Sequence, residues 1–143
     1  MEKILVAMDP VRTHLFAGNH ALHLAKRINA KVHFLLILPD SPPPGSVKHN
    51  SNESAVKKKV DAVIEEARSE GIKVDYYMTY GDYESELVSF IQENNITLLV
   101  LEYPYLHSDA SEGYKDFLDK LRHRIDCRIE VVNVKPETSE RKE

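Results

Sequence analysis

An α/β fold, with an open five-stranded and mainly parallel sheet of Rossmann-like type carrying helices on both faces, is predicted from three observations. Five short apolar runs recur along the 143 residues, four stretches with helical spacing separate them, and the first run, Ile4 to Met8, is apolar throughout. A run of that kind is a central strand buried on both faces. Regular alternation of such strands with helices favours right-handed crossovers and a parallel sheet.

Strand one is Ile4 to Met8, ending at Asp9-Pro10. Thr13 is the expected cap of a helix whose core stripe is Ala17, Ala21, Leu24, Ala25 and Ile28. Val32 to Leu38 is strand two. Val56, Val60, Val63, Ile64 and Ala67 repeat the helical spacing, and Gly71 stands where a helix end often needs a left-handed residue. Val74 to Tyr80 is strand three; Gly81-Asp82 then leads into a helix carrying Leu87, Phe90 and Ile91, stopped by Asn94-Asn95. Strand four is Thr97 to Glu102. The last helix carries Tyr114, Phe117, Leu118, Leu121 and Ile125, and Arg128 to Val134 is strand five. Two segments fall outside this pattern: 39–52, with Pro42-Pro43-Pro44-Gly45, reads as a flexible connector rather than a lid, and 137–143 as a disordered tail to one domain over 1–136.

Composition narrows the function classes. Nineteen basic and twenty-three acidic residues give a formal charge of −4, so no global field favours nucleic acid or an anionic membrane. No apolar run approaches the length of a membrane span, and the opening run is too short for a signal-peptide core. Cys127 is the single cysteine, which excludes an internal disulfide and fits a reducing compartment; the expected location is the cytoplasm.

The segment after strand four carries the functional information. Open α/β sheets bring their ligands to such strand ends, where glycines let backbone N–H groups close on phosphate. The eleven residues Glu102 to Glu112 contain no glycine and supply Glu102, Tyr103, Pro104 and Tyr105 instead.

Lys3-Ile4-Leu5-Val6-Ala7-Met8-Asp9, Leu24-Ala25-Lys26-Arg27 and Ala30-Lys31-Val32-His33-Phe34-Leu35 together resemble the opening of the universal stress protein family. Gly81, Ile96 to Leu101 and Cys127 to Val132 stand where that family has its later features. The resemblance implies strand order 3-2-1-4-5 and a homodimer. In that order strands one and four are neighbours, and their following loops face one crevice, which puts Asp9, Pro10, Leu38, Glu102, Tyr103 and Gly113 in the expected ligand crevice.

ATP-binding members carry, after strand four, a glycine, two residues, a second glycine, nine residues, then glycine followed by serine or threonine. Here only Gly113 is present, followed by Tyr114, and Thr97 and Glu102 replace the family's usual Asp and Gly at the strand's two ends. Pro10-Val11 follows Asp9 where the family often has a small residue and serine. A carboxylate about 5 Å from a phosphate costs about 3 kcal/mol at an effective dielectric near 20. Without glycine the turn is also less free to adopt the positive φ of an anion nest. The expectation is a member that does not bind ATP in the usual manner and needs no cofactor, with AMP, a nucleoside or ATP as disfavoured alternatives.

Other candidate chemistry has plainer readings. Asp9 with Glu102 would make a carboxylate pair for a cation or for acid/base work, but altered scaffolds more often lose chemistry than replace it. His20 and His23 have metal-compatible spacing and no third ligand in sequence, so they read as helix-surface histidines, and no metal is expected. Cys127, between Arg124 and Arg128, reads as a packed thiol, since no nucleophile elbow accompanies it. Lys57-Lys58-Lys59 and the group Lys120, Arg122, Arg124 and Arg128 lack a stacking aromatic motif and read as solvated helix faces, not a nucleic-acid surface.

Strand five, at a sheet edge by the family order, carries Ile129, Val131, Val132 and Asn133. An exposed apolar edge invites pairing, so two copies are expected to join there. The leading expectation is a non-enzymatic regulatory or stress-response protein acting through its dimer and a further protein partner. A small-molecule sensor using the crevice is the alternative, and a weak ATPase the third.

Overall fold

The computed structural model describes residues 2–8, 16–38, 47–103 and 108–133. The expected cap Thr13, the tail 137–143 and residues 39–46 of the expected connector lie outside them. The strands are β1 (Lys3–Met8), β2 (Lys31–Leu38), β3 (Lys73–Tyr80), β4 (Leu98–Tyr103) and β5 (Arg128–Asn133), and the helices α1 (Phe16–Ile28), α2 (Val47–Ser69), α3 (Tyr83–Asn94) and α4 (Ser108–Arg124). The five strands form one sheet in the order β3-β2-β1-β4-β5, every pairing parallel.

Alternation along the strands sorts side chains into two layers. Ile4, Val6, Val32, Phe34, Leu36, Leu98 and Val100 face α1 and α2, where Ala17, Ala21, Leu22, Val60, Ile64 and Ala67 meet them. Leu5, Leu35, Ile37, Leu99 and Leu101 face α3 and α4, against Leu87, Val88, Ile91, Leu118 and Leu121. That both faces are covered explains the apolar run of β1 and that of β2, which only His33 interrupts.

Three helices end by the same device. Asn29, Gly71 and Asn95 take left-handed φ of 58°, 88° and 53°. The next N–H closes back on the helix: Ala30 on Ala25, Ile72 on Ala67, and Ile96 on Ile91, each at 3.1 Å. Each closing residue is buried, so orphan carbonyls are satisfied and an apolar contact is made in one step. Gly71 and the Asn94-Asn95 stop act as expected from the sequence.

Three elements depart from expectation. The helix expected around Val56 starts at Val47, so residues 47–52 of the expected connector are helical. Val47-Lys48-His49-Asn50-Ser51-Asn52 is almost wholly polar, and a helical stretch without an apolar stripe leaves no periodic signal. The buried face of α1 is Ala17, Gly18, Ala21, Leu22 and Ala25, turned from the predicted stripe, which leaves Ile28 46% exposed. Small residues select that face, because the helix lies so close on β2 that a Cβ at Gly18 would come within 2.8 Å of the Phe34 ring. In α3, Val88 takes the buried position and Phe90 only half of one.

Candidate functional site

From β1 the chain winds outward through β2 to β3, then returns to lay β4 on the other side of β1. The sheet therefore reverses between β1 and β4, and their C-terminal ends open on one crevice, the place where open α/β sheets take ligands. Ile4 to Val6 pair with Leu98 to Val100, a register that, continued, brings the end of β1 level with Glu102.

Glu102 lies on the same face of β4 as Leu98 and Val100, the face towards α1. Its half-buried carboxylate crosses to that helix and accepts the backbone N–H of Ala17, Oε2 to N 3.0 Å. Ala17 is the second residue of α1, where N–H groups lack a partner inside the helix and the helix dipole favours negative charge. A second carboxylate repeats the arrangement one strand further out: Glu130 of β5 meets His20 Nε2 of α1 at 3.1 Å. Two acidic side chains thus tie α1 to the β4–β5 half of the sheet.

Of the remaining predicted crevice residues, Leu38 and Gly113 have described side-chain surroundings. Leu38 is fully buried in the α1–α2 layer, and its carbonyl accepts the Gly81 N–H at 2.8 Å, tying the ends of β2 and β3 together. Gly113 lies within α4, where an added Cβ would meet nothing within 4 Å, so no turn or close approach there requires glycine. Tyr103 ends β4 opposite Asn133 of β5, and the Tyr103 side chain, like Asp9 and Pro10, lies outside the described residues. The Asp9–Glu102 pair, disfavoured from sequence, involves Asp9 and so lies outside the described residues as well.

Elsewhere the candidate chemistry resolves into structural contacts. His20 faces Glu130 and His23 is exposed on α1, and no three His, Cys, Asp or Glu side chains converge among the described residues. Burial pushes the half-buried Cys127 thiol above its ordinary pKa, with Asp126 adding to it and Arg128 opposing, so the neutral thiol prevails. Four of the seven clustered basic side chains lie against carboxylates: Lys57 on Asp61 at 3.6 Å, Arg122 on Asp119 at 3.7 Å, Arg124 on Glu84 at 3.0 Å, and Arg128 on Glu2. No described helix is long and apolar enough to cross a membrane.

Sequence reasoning singled out Glu102 but missed its partner at Ala17 and the role of Glu130. The available signal was parity: Glu130 alternates with Ile129 and Val131 and so must face α1 together with Val132. At the β5 edge, Ile129 and Val131 are half-buried against the α3–α4 layer and Val132 against the other. The Asn133 side chain lies outside the described residues.

The model of the universal stress protein family matches residues 1–104. Solved structures share the architecture over nearly the whole chain. A universal stress protein in complex with cAMP aligns with a TM-score of 0.67 at 18% identity, over 92% of this chain and 96% of that one. A family protein from Burkholderia pseudomallei aligns with 0.60 at 20% identity, over 92% and 95%. One from Arabidopsis thaliana with AMP bound aligns with 0.61 at 12% identity, over 96% and 95%. At these identities the likeness establishes the fold. No curated protein matches the chain.

Proposed function

We infer that this chain, which belongs to the universal stress protein family, acts as a stress-response regulator whose crevice does not take ATP in the usual manner. The observation that carries this reading is the Glu102 carboxylate seated on the Ala17 N–H at 3.0 Å. At a strand end where a glycine would leave room for a ligand anion, the chain places an anion of its own. An incoming phosphate meets Coulomb repulsion there, and it finds the first-turn N–H of α1 already used. On this reading the protein turns over no substrate, needs no cofactor or metal, and works in the cytoplasm through contacts with a second copy and a further protein.

The second copy joins at β5. The described strand pairs only with β4, and its Ile129, Val131 and Val132 stay half-exposed at the sheet margin, with Asn133 ending the strand. An edge of that kind is normally covered. Sedimentation of the full chain at on the order of tens of micromolar should give the mass of a dimer, and a monomer there refutes this interface.

A second reading has specific support: two of the similar structures hold cAMP and AMP. A nucleoside monophosphate carries less negative charge than a triphosphate and meets less opposition from Glu102. A thermal-shift series with ATP, ADP, AMP and cAMP, with and without Mg²⁺, separates the two. The regulator reading expects no saturable rise in melting temperature with any of them. A rise with AMP or cAMP alone transfers the assignment to a sensor. A saturable rise with ATP, or phosphate release, refutes the proposed loss of ATP binding.

A further inference from the structure

His33 lies in the middle of an apolar strand yet is 4% exposed, and neither ring nitrogen has a hydrogen-bond partner. A buried imidazole normally finds a partner for at least one nitrogen. What surrounds it is aromatic. Its ring centroid lies 5.9 Å from that of Tyr77 on β3 and 5.9 Å from that of Phe90 on α3, edge-on to the latter at 69°. Tyr77 and Phe90 are themselves 5.1 Å apart at 65°. Three rings from three elements thus close a triangle under β3, and β3 is the sheet's edge strand, held on one side only.

The charged groups around this triangle make protonation of the ring unfavourable. From β2 comes Lys31 and from β1 Lys3, and both oppose a positive imidazole. From β3 comes Asp75, the carboxylate that would favour it, but Asp75 is already held by Lys31 at 2.9 Å, by Arg68 of α2 at 3.8 Å and by the Tyr77 hydroxyl at 3.5 Å. From α3 the ring is given Phe90, while Glu86 of that helix is engaged by Thr79 Oγ1 at 3.0 Å.

We propose that His33 makes the β3–α3 edge an acid-sensitive latch, closed while the imidazole is neutral and released when it takes up a proton from solvent. A charged ring cannot remain buried against Tyr77 and Phe90 without an acceptor, so β3 and α3 must part from β2 to admit water. The strand that moves is the one that loses least, because nothing pairs with its outer edge among the described residues.

Burial, and after it Lys31, holds the His33 pKa below the ordinary imidazole value, with Asp75 opposing. The sign follows from linkage. Above about pH 6.5 the ring is neutral in both folded and unfolded chains and contributes no pH dependence. Below that, the unfolded or opened chain binds a proton that the closed one refuses, and the equilibrium shifts towards opening by up to about tenfold per pH unit.

The test is amide hydrogen exchange on the full chain at about pH 7.5 and about pH 5.5, as protection factors, for wild type and His33→Leu. In the wild type, β3 and α3 amides should lose protection on acidification by up to about tenfold, while β1 and β4 amides lose less. His33→Leu should abolish that difference. An equal loss in His33→Leu overturns the proposal, as does an unchanged β3 in the wild type. Should His33→Leu not fold, NMR titration of the wild-type ring decides: a midpoint well below the ordinary imidazole value supports the latch, and one at or above it refutes it.

Discussion

The Glu102 contact makes a quantitative demand on stability. The carboxylate accepts one N–H at 3.0 Å, and the donor is in the first turn of α1. A hydrogen bond to a charged group contributes about 1.5–3 kcal/mol net, and an acidic group at a helix N-terminus about 0.3–1 kcal/mol. Glu102 is half-buried, so the low ends apply, and Glu102→Ala should destabilise the fold by about 2 kcal/mol. For a chain of this size that lowers the melting temperature by roughly 4–8 °C. Glu102→Gln keeps an oxygen acceptor at the same reach and removes only the charge, so its loss should be about half as large. Urea unfolding followed by circular dichroism near pH 7 measures both. A Glu102→Ala midpoint equal to wild type would refute the assignment, because the carboxylate would then be contributing nothing that water does not.

Further substitutions test the frame around the crevice. Gly81 has φ of 143° and an added Cβ would come within 2.8 Å of Glu86 Oε2, so Gly81→Ala should destabilise by about 1–2 kcal/mol in thermal melts. Gly113→Ala, in open space on α4, should instead stabilise by about 0.5–1 kcal/mol, a sign that a glycine needed for a tight loop would not give. Asp82 caps α3 by accepting the Ser85 N–H at 3.0 Å, and Asp82→Ala should cost about 1 kcal/mol in urea unfolding. The hydrogen bond from Lys31 holds the Asp75 carboxyl below its ordinary pKa, so its stabilisation is present above about pH 4 and is lost as pH falls through the lowered value. Asp75→Asn should therefore flatten part of the acid limb in a series of melts from about pH 5 to pH 2, and an unchanged limb would refute the role.

How far the sequence could be read depended on whether a feature left a periodic trace. β1, β2 and β4 are legible because burial on both faces demands predominantly apolar runs, and α4 because Tyr114, Leu118, Leu121 and Ile125 keep helical spacing. Strand order was not in the pattern; it came with the family resemblance. The first turns of α2 were invisible because polar helix and polar loop look alike without a stripe. His33 was hidden for the opposite reason: it stood inside the run Val32 to Leu38 and was read with its neighbours as strand. Parity would have flagged it, since it shares a face with Leu35 and Ile37, and a polar group there must be either satisfied or consequential.

The candidate site shows the same limit at closer range. Sequence placed an acid at the end of β4 but not the N–H it would find, because Ala17 and Glu102 meet only once β4 has been laid beside β1 under α1. That meeting bears on ligand affinity beyond simple repulsion. A carboxylate tethered to its own strand acts at an effective concentration on the order of millimolar or higher, always present and already oriented. A free phosphate competing for the same helix terminus must displace it and then sit beside the displaced charge. In a crevice with glycine at this position, the first-turn N–H waits for a ligand; here the fold supplies the acceptor itself. On the proposed reading, one first-turn N–H of α1 already has its acceptor in the absence of any ligand, and the differential affinity that would let a phosphate shift the protein between states is correspondingly reduced.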